Sequence, residues 1–308
     1  IEIPAYVQGR DILADDYQPR QYVFTARDRC DETVDIIRSV RTGRFKYIRN
    51  FISNVPHAQP NQYKDGQDIV QAMRRLYANG ELNDLQASMF EAPRPTEELY
   101  DLETDTFETV NLASDPRYRA QLEKLRTRLY QWMIDTRDVG LIPEPILEDL
   151  GRQYGSKYNV LLQPQLQGLV AELIAVIEAG EQGDRETLDR SLDSDRASVR
   201  FWAATWLGNL GDDSAVSSLS SRIDDPPPGV RVAAALALCQ LGPAEENLPI
   251  LADHLDAENV IAGMYAARAL ELVGPPAKAV LPAIEKARHN PYSFTVRIAN
   301  RLSQTLQE

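Results

Sequence analysis

The residues best suited to chemistry crowd together near the start of the chain. Arg27, Asp28, Arg29, Asp31 and Glu32 occupy positions 27–32, directly after a strand-like run. Guanidinium groups at that density suit bidentate recognition of a carboxylate or sulfate, and the interleaved carboxylates suit sugar hydroxyls or an amine. Composition alone favours a plainer reading, a solvated loop whose exposed ion pairs contribute little. His57, in Asn54-Val-Pro-His-Ala-Gln-Pro, lies in a loop that could reach the same pocket, because loops carry function disproportionately. The other histidines, His254 and His289, fall in a helical region and read as surface or inter-helix residues. No Gly-rich phosphate loop, HExxH or GxSxG string occurs. Cys30 and Cys239 lie far apart without metal-ligand spacing, so neither a zinc site nor a disulfide framework is expected. A complete catalytic set is therefore missing from the string.

The elements that position these residues follow from composition and periodicity. The chain has 308 residues with 33 Lys+Arg against 46 Asp+Glu, a formal net charge of −13. Such a balance argues against a nucleic-acid partner, which needs clustered cations to displace counterions from phosphates. With 43% apolar residues the chain should bury sizeable cores, and its length suggests two domains. No run of about 18 apolar residues is present, so no membrane-spanning helix is expected. The chain opens at Ile1 without an initiator Met or a charged leader, and reads as a piece of a longer protein.

Residues 21–26, 35–40, 45–51 and 98–102 read as strands. The last-but-one alternates apolar and basic residues, as a strand with one wet face does. The tetrad 41–44 predicts a hairpin turn in which Gly43 can take a positive φ. Arg38 and Arg41 read as solvent-side or interface-side strand residues. Ser114 or Asp115 then caps a helix reaching about residue 137, with Pro116 in its first turn and Leu122, Leu125, Leu129, Trp132 and Met133 on one face. The expected fold class for residues 1–142 is α+β, a small antiparallel sheet with a covering helix. Residues 143–164, rich in Pro and Gly, read as a linker.

Residues 165–308 predict an all-α solenoid. Residues 198–211 align with 229–242 and with 264–274, and a degenerate fourth copy starts at Val296. Ala203/Ala204, Ala234/Ala235 and Ala266/Ala267 allow close helix approach, while Leu207, Leu238 and Leu270 fill the seam. Each of the three copies ends at a glycine suited to a helix C-terminus, namely Gly211, Gly242 and Gly274. A period in the low thirties with two helices per unit means stacked repeats, and the pattern resembles short HEAT-like repeats.

A second resemblance rests on Arg27-Asp-Arg-Cys-Asp-Glu-Thr-Val-Asp-Ile-Ile-Arg-Ser-Val-Arg41, on Phe45-Lys-Tyr-Ile-Arg-Asn50, and on Glu98-Leu-Tyr-Asp-Leu-Glu-Thr-Asp105 with Glu108 and Asn111-Leu-Ala113. Over residues 1–145 these strings resemble the C-terminal subdomain of a formylglycine-dependent sulfatase, most closely the heparan N-sulfatase-like (sulfamidase-like) branch. Thr106 departs from the usual Pro. The resemblance implies a parent enzyme that hydrolyses sulfate esters or sulfamates on a carbohydrate. It implies also a calcium ion and a formylglycine nucleophile, both in an N-terminal domain outside these residues; this chain alone is expected to be inactive. It implies that Arg27, Asp28, Arg29, Asp31 and Glu32 form a substrate-contacting loop, with His57 nearby, and that the protein is periplasmic or extracellular. A protein partner for the solenoid is expected. The alternative is a non-catalytic HEAT-repeat binding module or scaffold.

Overall fold

The computed structural model describes Pro4, Val7 and residues 9–307; the remaining residues at both ends, including the start of the span 1–142, lie outside the described residues. Strands β1 (Val23–Arg27), β2 (Ile37–Arg41), β3 (Phe45–Asn50) and β4 (Glu97–Asp101) form one antiparallel sheet in that spatial order. The register builds two rows across the same face. Phe24, Val40, Tyr47 and Leu99 make an apolar row, and Ala26, Arg38, Arg49 and Glu97 lie beside it. The opposite face is open at its β1 side, where Val23, Thr25 and Arg41 are exposed.

Between β3 and β4 lie three helices, α1 (Gln62–Asp65), α2 (Asp68–Ala78) and α3 (Asp84–Ala87). Helix α4 (Arg119–Asp135) follows β4 and covers the apolar row with Leu122, Leu125, Leu129 and Met133, as the spacing predicts. Trp132 is half-buried and stacks on Phe24 with ring centroids 4.8 Å apart. Asp115 accepts from the Arg117 amide and starts the turn that leads into α4, with Pro116 at its first position.

Two arginines lie inside the covered face of the sheet. Arg38, read as a solvent-side or interface-side strand residue, is buried against the helices, and so is Arg49, which alternation puts on the same face as Phe45 and Tyr47. They lie directly opposite each other in the β2–β3 register, an arrangement that repels unless each cation has its own anion. Both anions come from outside the sheet, Asp138 for Arg38 at 2.6 Å and Glu181 for Arg49 at 2.6 Å. Strand periodicity cannot register partners so distant in sequence. The hairpin between β2 and β3 forms as expected, but Gly43 is not among the positive-φ glycines, and Thr42 closes the turn by donating to the Phe45 carbonyl.

Residues 143–164 are not a solvated connection. They hold α5 (Glu144–Gln153) and α6 (Lys157–Val160), and Pro145, Ile146, Leu147, Val160 and Leu161 are buried. Pro143 and Pro145, two of the residues that suggested a linker, start α5, where a missing N–H costs nothing. Leu141 receives a 2.8 Å hydrogen bond from the Trp202 indole, and Pro145 one from Asn259.

The remaining helices stack as repeats: α7 (Leu169–Gln182), α8 (Arg185–Leu192), α9 (Ala197–Leu210), α10 (Val216–Ser220), α11 (Pro228–Leu241), α12 (Ala244–Asp253), α13 (Val260–Val273), α14 (Leu281–Ala287) and α15 (Ser293–Gln307). Helices α9, α11, α13 and α15 pack in succession as one layer. All three Ala pairs and their seam leucines are buried. Gly211 and Gly274 end their helices at positive φ, whereas Gly242 is extended, since Pro243 follows it. One hydrophobic core runs from Val40, Tyr47 and Leu99 through α4, α5 and α7 into α9 and α11. A second occupies the later repeats.

Candidate functional site

The loop after β1 is a tight turn. Cys30 and Thr33 exchange two 2.9 Å backbone hydrogen bonds, and Asp31 takes φ 53°, a left-handed value that a short Asp tolerates. Its charged residues turn in three directions. Asp28 meets the buried Arg38 at 2.9 Å, beside Asp138. Arg29, Asp31 and Glu32 turn towards later helices: Arg29 pairs with Glu144 at 2.6 Å and lies 5.0 Å over the Phe294 ring, and Asp31 meets Arg297 at 3.5 Å. Glu32 is fully buried and accepts from the Gln62 amide (2.6 Å), with Arg297 at 3.2 Å and Arg301 at 3.5 Å.

Arg27, by contrast, joins His57. Its guanidinium stands 3.9 Å from Asp35, which is wholly buried and holds Arg94 in a bidentate pair. Arg94 then donates to His57 Nδ1 at 3.0 Å and to the Ile52 carbonyl at 3.0 Å. A guanidinium only donates, so Nδ1 is the bare nitrogen and Nε2 carries the proton, 3.6 Å from Glu98. Burial first, and the Arg94 charge second, lower the His57 pKa below 6.5 and keep the ring neutral. Asn50 (2.6 Å) and the Tyr100 hydroxyl (2.5 Å) fix the Glu98 carboxylate. Three buried polar atoms of this cluster have no partner among the described residues: Arg27 Nη2, Arg94 Nε and Asn50 Oδ1.

The local folding that delivers His57 is equally specific. Val55 is buried, Asn54 bonds Asn209 of α9 at 3.2 Å, and Ala58 donates to the Met89 carbonyl. Of the six site residues read from sequence, Arg27 and His57 are thus brought together, and the other four turn to partners outside that cluster, Asp31 and Glu32 sharing Arg297. Asp35, Arg94 and Glu98 are the members that sequence reasoning missed. A lone Arg94 between Pro93 and Pro95 was the available signal, since a cation in so rigid a stretch is poorly placed to be a merely solvated one.

Chemically the cluster presents the partly exposed Arg27 guanidinium and the partly exposed His57 ring, its Nε2–H towards Glu98, over a buried Asp35–Arg94 pair. Such a set has the chemistry to bind an anionic or hydroxylated group. Among the described residues no group of three or more His, Cys, Asp or Glu is placed to hold a metal ion.

Comparisons with known proteins bear on both parts of the chain. Residues 185–271 match the family model for HEAT repeats. An ulvan-active sulfatase of Formosa agariphila is 39% identical over 140 residues, 45% of this chain and 24% of that protein. A second ulvan-active sulfatase of the same organism is 31% identical over 150 residues, 48% of this chain and 27% of its own length. Human N-sulphoglucosamine sulphohydrolase is 30% identical over 156 residues, 49% of this chain and 28% of its own. The chain spans about a quarter of the length of these curated relatives. It joins a segment homologous to sulfatases, built on a small antiparallel sheet, to a run of HEAT repeats.

Proposed function

We propose that this chain is the C-terminal part of a sulfatase that hydrolyses sulfate esters or sulfamates on a carbohydrate. The observation that carries the reading is the 39% identity to an ulvan-active sulfatase over 140 residues. On this reading a formylglycine nucleophile and a calcium ion belong to a segment outside these 308 residues, where they supply the attacking oxygen and charge stabilisation at sulfur. The residues of this chain bind and orient. Arg27 and the partly exposed edge of the His57 ring contact the sugar, and Asp35 and Arg94 set their positions. Asp28, Arg29, Asp31 and Glu32 shape the same loop from behind. The substrate is a sulfated polysaccharide or an oligosaccharide derived from one, encountered in the periplasm or outside the cell.

The test compares the complete gene product with the 308-residue chain on ulvan oligosaccharides and on N-sulfated glucosamine, following released sulfate. The complete protein should turn over one of them, the isolated chain neither. Arg27→Ala and His57→Ala in the complete protein should raise KM about tenfold, the loss of one charged hydrogen bond or somewhat less. Turnover by the isolated chain, or unchanged KM in both variants, refutes the reading.

A further inference from the structure

The HEAT helices face their own chain. Phe51, Ile52 and Val55, next to β3, meet Phe201, Trp206 and Tyr265 of α9 and α13 across a mainly apolar cleft of about 110 Å³. Beside this cleft lies a half-buried charge network with the buried Glu32 at its centre. Arg297 and Arg301 of α15 clasp Glu32. Glu271 of α13 holds both Arg301 (2.5 Å) and Arg268. Arg268 reaches Gln59 at 3.0 Å, and Gln59 donates to the Val34 carbonyl at 3.0 Å. Glu144 of α5 holds Arg29, and Arg29 and Arg297 both lie 5.0 Å from the Phe294 ring.

Four guanidiniums (Arg29, Arg268, Arg297, Arg301) thus meet four carboxylates (Asp31, Glu32, Glu144, Glu271), so the network carries no net charge to attract an ion. Apart from the pairs Glu271 makes with Arg268 and Arg301, its ties run from the helices to residues 29–34 and 59–62. Between those two segments stands Asp35, the residue that places Arg27, Arg94 and, through Arg94, His57.

We propose that the solenoid is an intramolecular positioning device: α13 and α15 hold the loop that carries the Arg27–Asp35–Arg94–His57 cluster, and Glu32 is the central positioning residue. The solenoid's first partner is therefore the sheet of its own chain. This deepens the sulfatase reading, and its kinetic arm rests on that reading; its structural arm does not.

The structural arm uses the 308-residue chain and hydrogen–deuterium exchange. Glu32→Gln keeps an acceptor for the Gln62 amide but removes the charge that draws two arginines. Exchange in residues 29–36 and 57–62 should accelerate about tenfold, while α9 and α11 keep their protection. Arg301→Met should act alike, and Arg301→Lys should restore part of the protection. If Glu32→Gln fails to fold, Gln59→Ala, which cuts only the Arg268–Gln59–Val34 tie, takes its place with the same expected pattern. Unchanged exchange in a folded variant overturns the proposal. The kinetic arm uses the complete protein, in which Glu32→Gln should raise KM several-fold with kcat within about twofold of wild type. A loosened loop with unchanged KM overturns the positioning role. If the wild-type protein shows no turnover, the sulfatase reading fails and the exchange result alone decides the coupling.

Discussion

Replacing Arg49 with methionine tests how the sheet is tied to the helices. Arg49 donates to both oxygens of Glu181 (2.7 and 2.6 Å), to the Tyr130 hydroxyl (3.0 Å) and to the Thr96 carbonyl (3.0 Å). One side chain therefore binds β3 to α4 and α7 at once. Methionine fills most of the stem volume, so the main loss is electrostatic. Breaking a buried pair costs about 3–5 kcal/mol, because the surviving charge is left without its partner. Burial already pushes the Glu181 carboxyl above its ordinary value of 4.5 against the pull of Arg49, so the orphaned acid can take up a proton. That relief places the expected cost near the lower end. With unfolding entropy of about 2.1 cal/mol/K per residue, a chain of this size loses roughly 0.6 kcal/mol per degree, and the melting temperature should fall by about 5 °C. Arg49→Met with Glu181→Leu should recover most of the loss, since two apolar groups replace a pair whose desolvation was expensive. Thermal and urea unfolding of the four proteins, read by tryptophan fluorescence, completes the cycle. A single variant melting within 1 °C of wild type, or a double variant no better than the sum of its singles, would refute the reasoning.

Three further outcomes follow from other parts of the chain. Gly208→Ala should destabilise by about 1–3 kcal/mol despite the helix propensity of alanine, because the added Cβ would stand 2.7 Å from the Ala237 Cα, a backbone atom that cannot swing aside; Gly43→Ala, with nothing within 4 Å, should be neutral in the same denaturation assay. Burial pushes the Glu97 carboxyl up, but hydrogen bonds from Arg126 and Tyr47 hold it below its ordinary 4.5. Its stabilising contribution is therefore complete above pH 4.5 and is lost as pH falls through the depressed value. Urea midpoints measured against pH should drop on that acid side, and Glu97→Gln should flatten the drop. Finally, Cys30 is exposed, whereas burial raises the Cys239 thiol to about 11. A thiol-disulfide reagent at pH 8 should thus titrate one fast cysteine in the native chain and two after denaturation; two fast thiols would contradict the packing of α11.

Much of the fold is legible in the string because its signals are local. The strand at residues 45–50, the leucine stripe of α4 and the Ala-Ala-Leu repeats each express a period that one element must satisfy by itself. The Pro- and Gly-bearing stretch 143–164 misleads, since the residues that break one helix also start the next. Within residues 62–87, α1 and α3 span only four residues each, too short to show a period, and the amphipathic α2 buries no residue fully, so it points to no core. The site divides along the same line. Arg27 and His57 are suggested by residue type and loop context, but Asp35, Arg94 and Glu98 gain meaning only from a hydrogen-bond chain that crosses three segments. The turning of Glu32 towards α15 joins residues whose separation no sequence window spans.

Arg38 and Arg49 show what that long-range dependence means for the molecule. An isolated four-stranded sheet with two arginines opposed in its interior would be pushed apart by its own charges. Here Asp138, just past α4, neutralises one, and Glu181 in α7, the first solenoid helix, neutralises the other. The apolar core continues along the same route, from Tyr47 and Leu99 through Leu129 and Leu141 to Leu173 and Trp202. The sheet that carries Arg27 and His57 is therefore completed by the helices that follow it, in charge as well as in packing. An appended solenoid that merely recruited partners would need a tether, not a buried counter-ion for β3. The placement of Glu181 and of Glu32's two arginines makes the repeats part of the scaffold on which the candidate site stands.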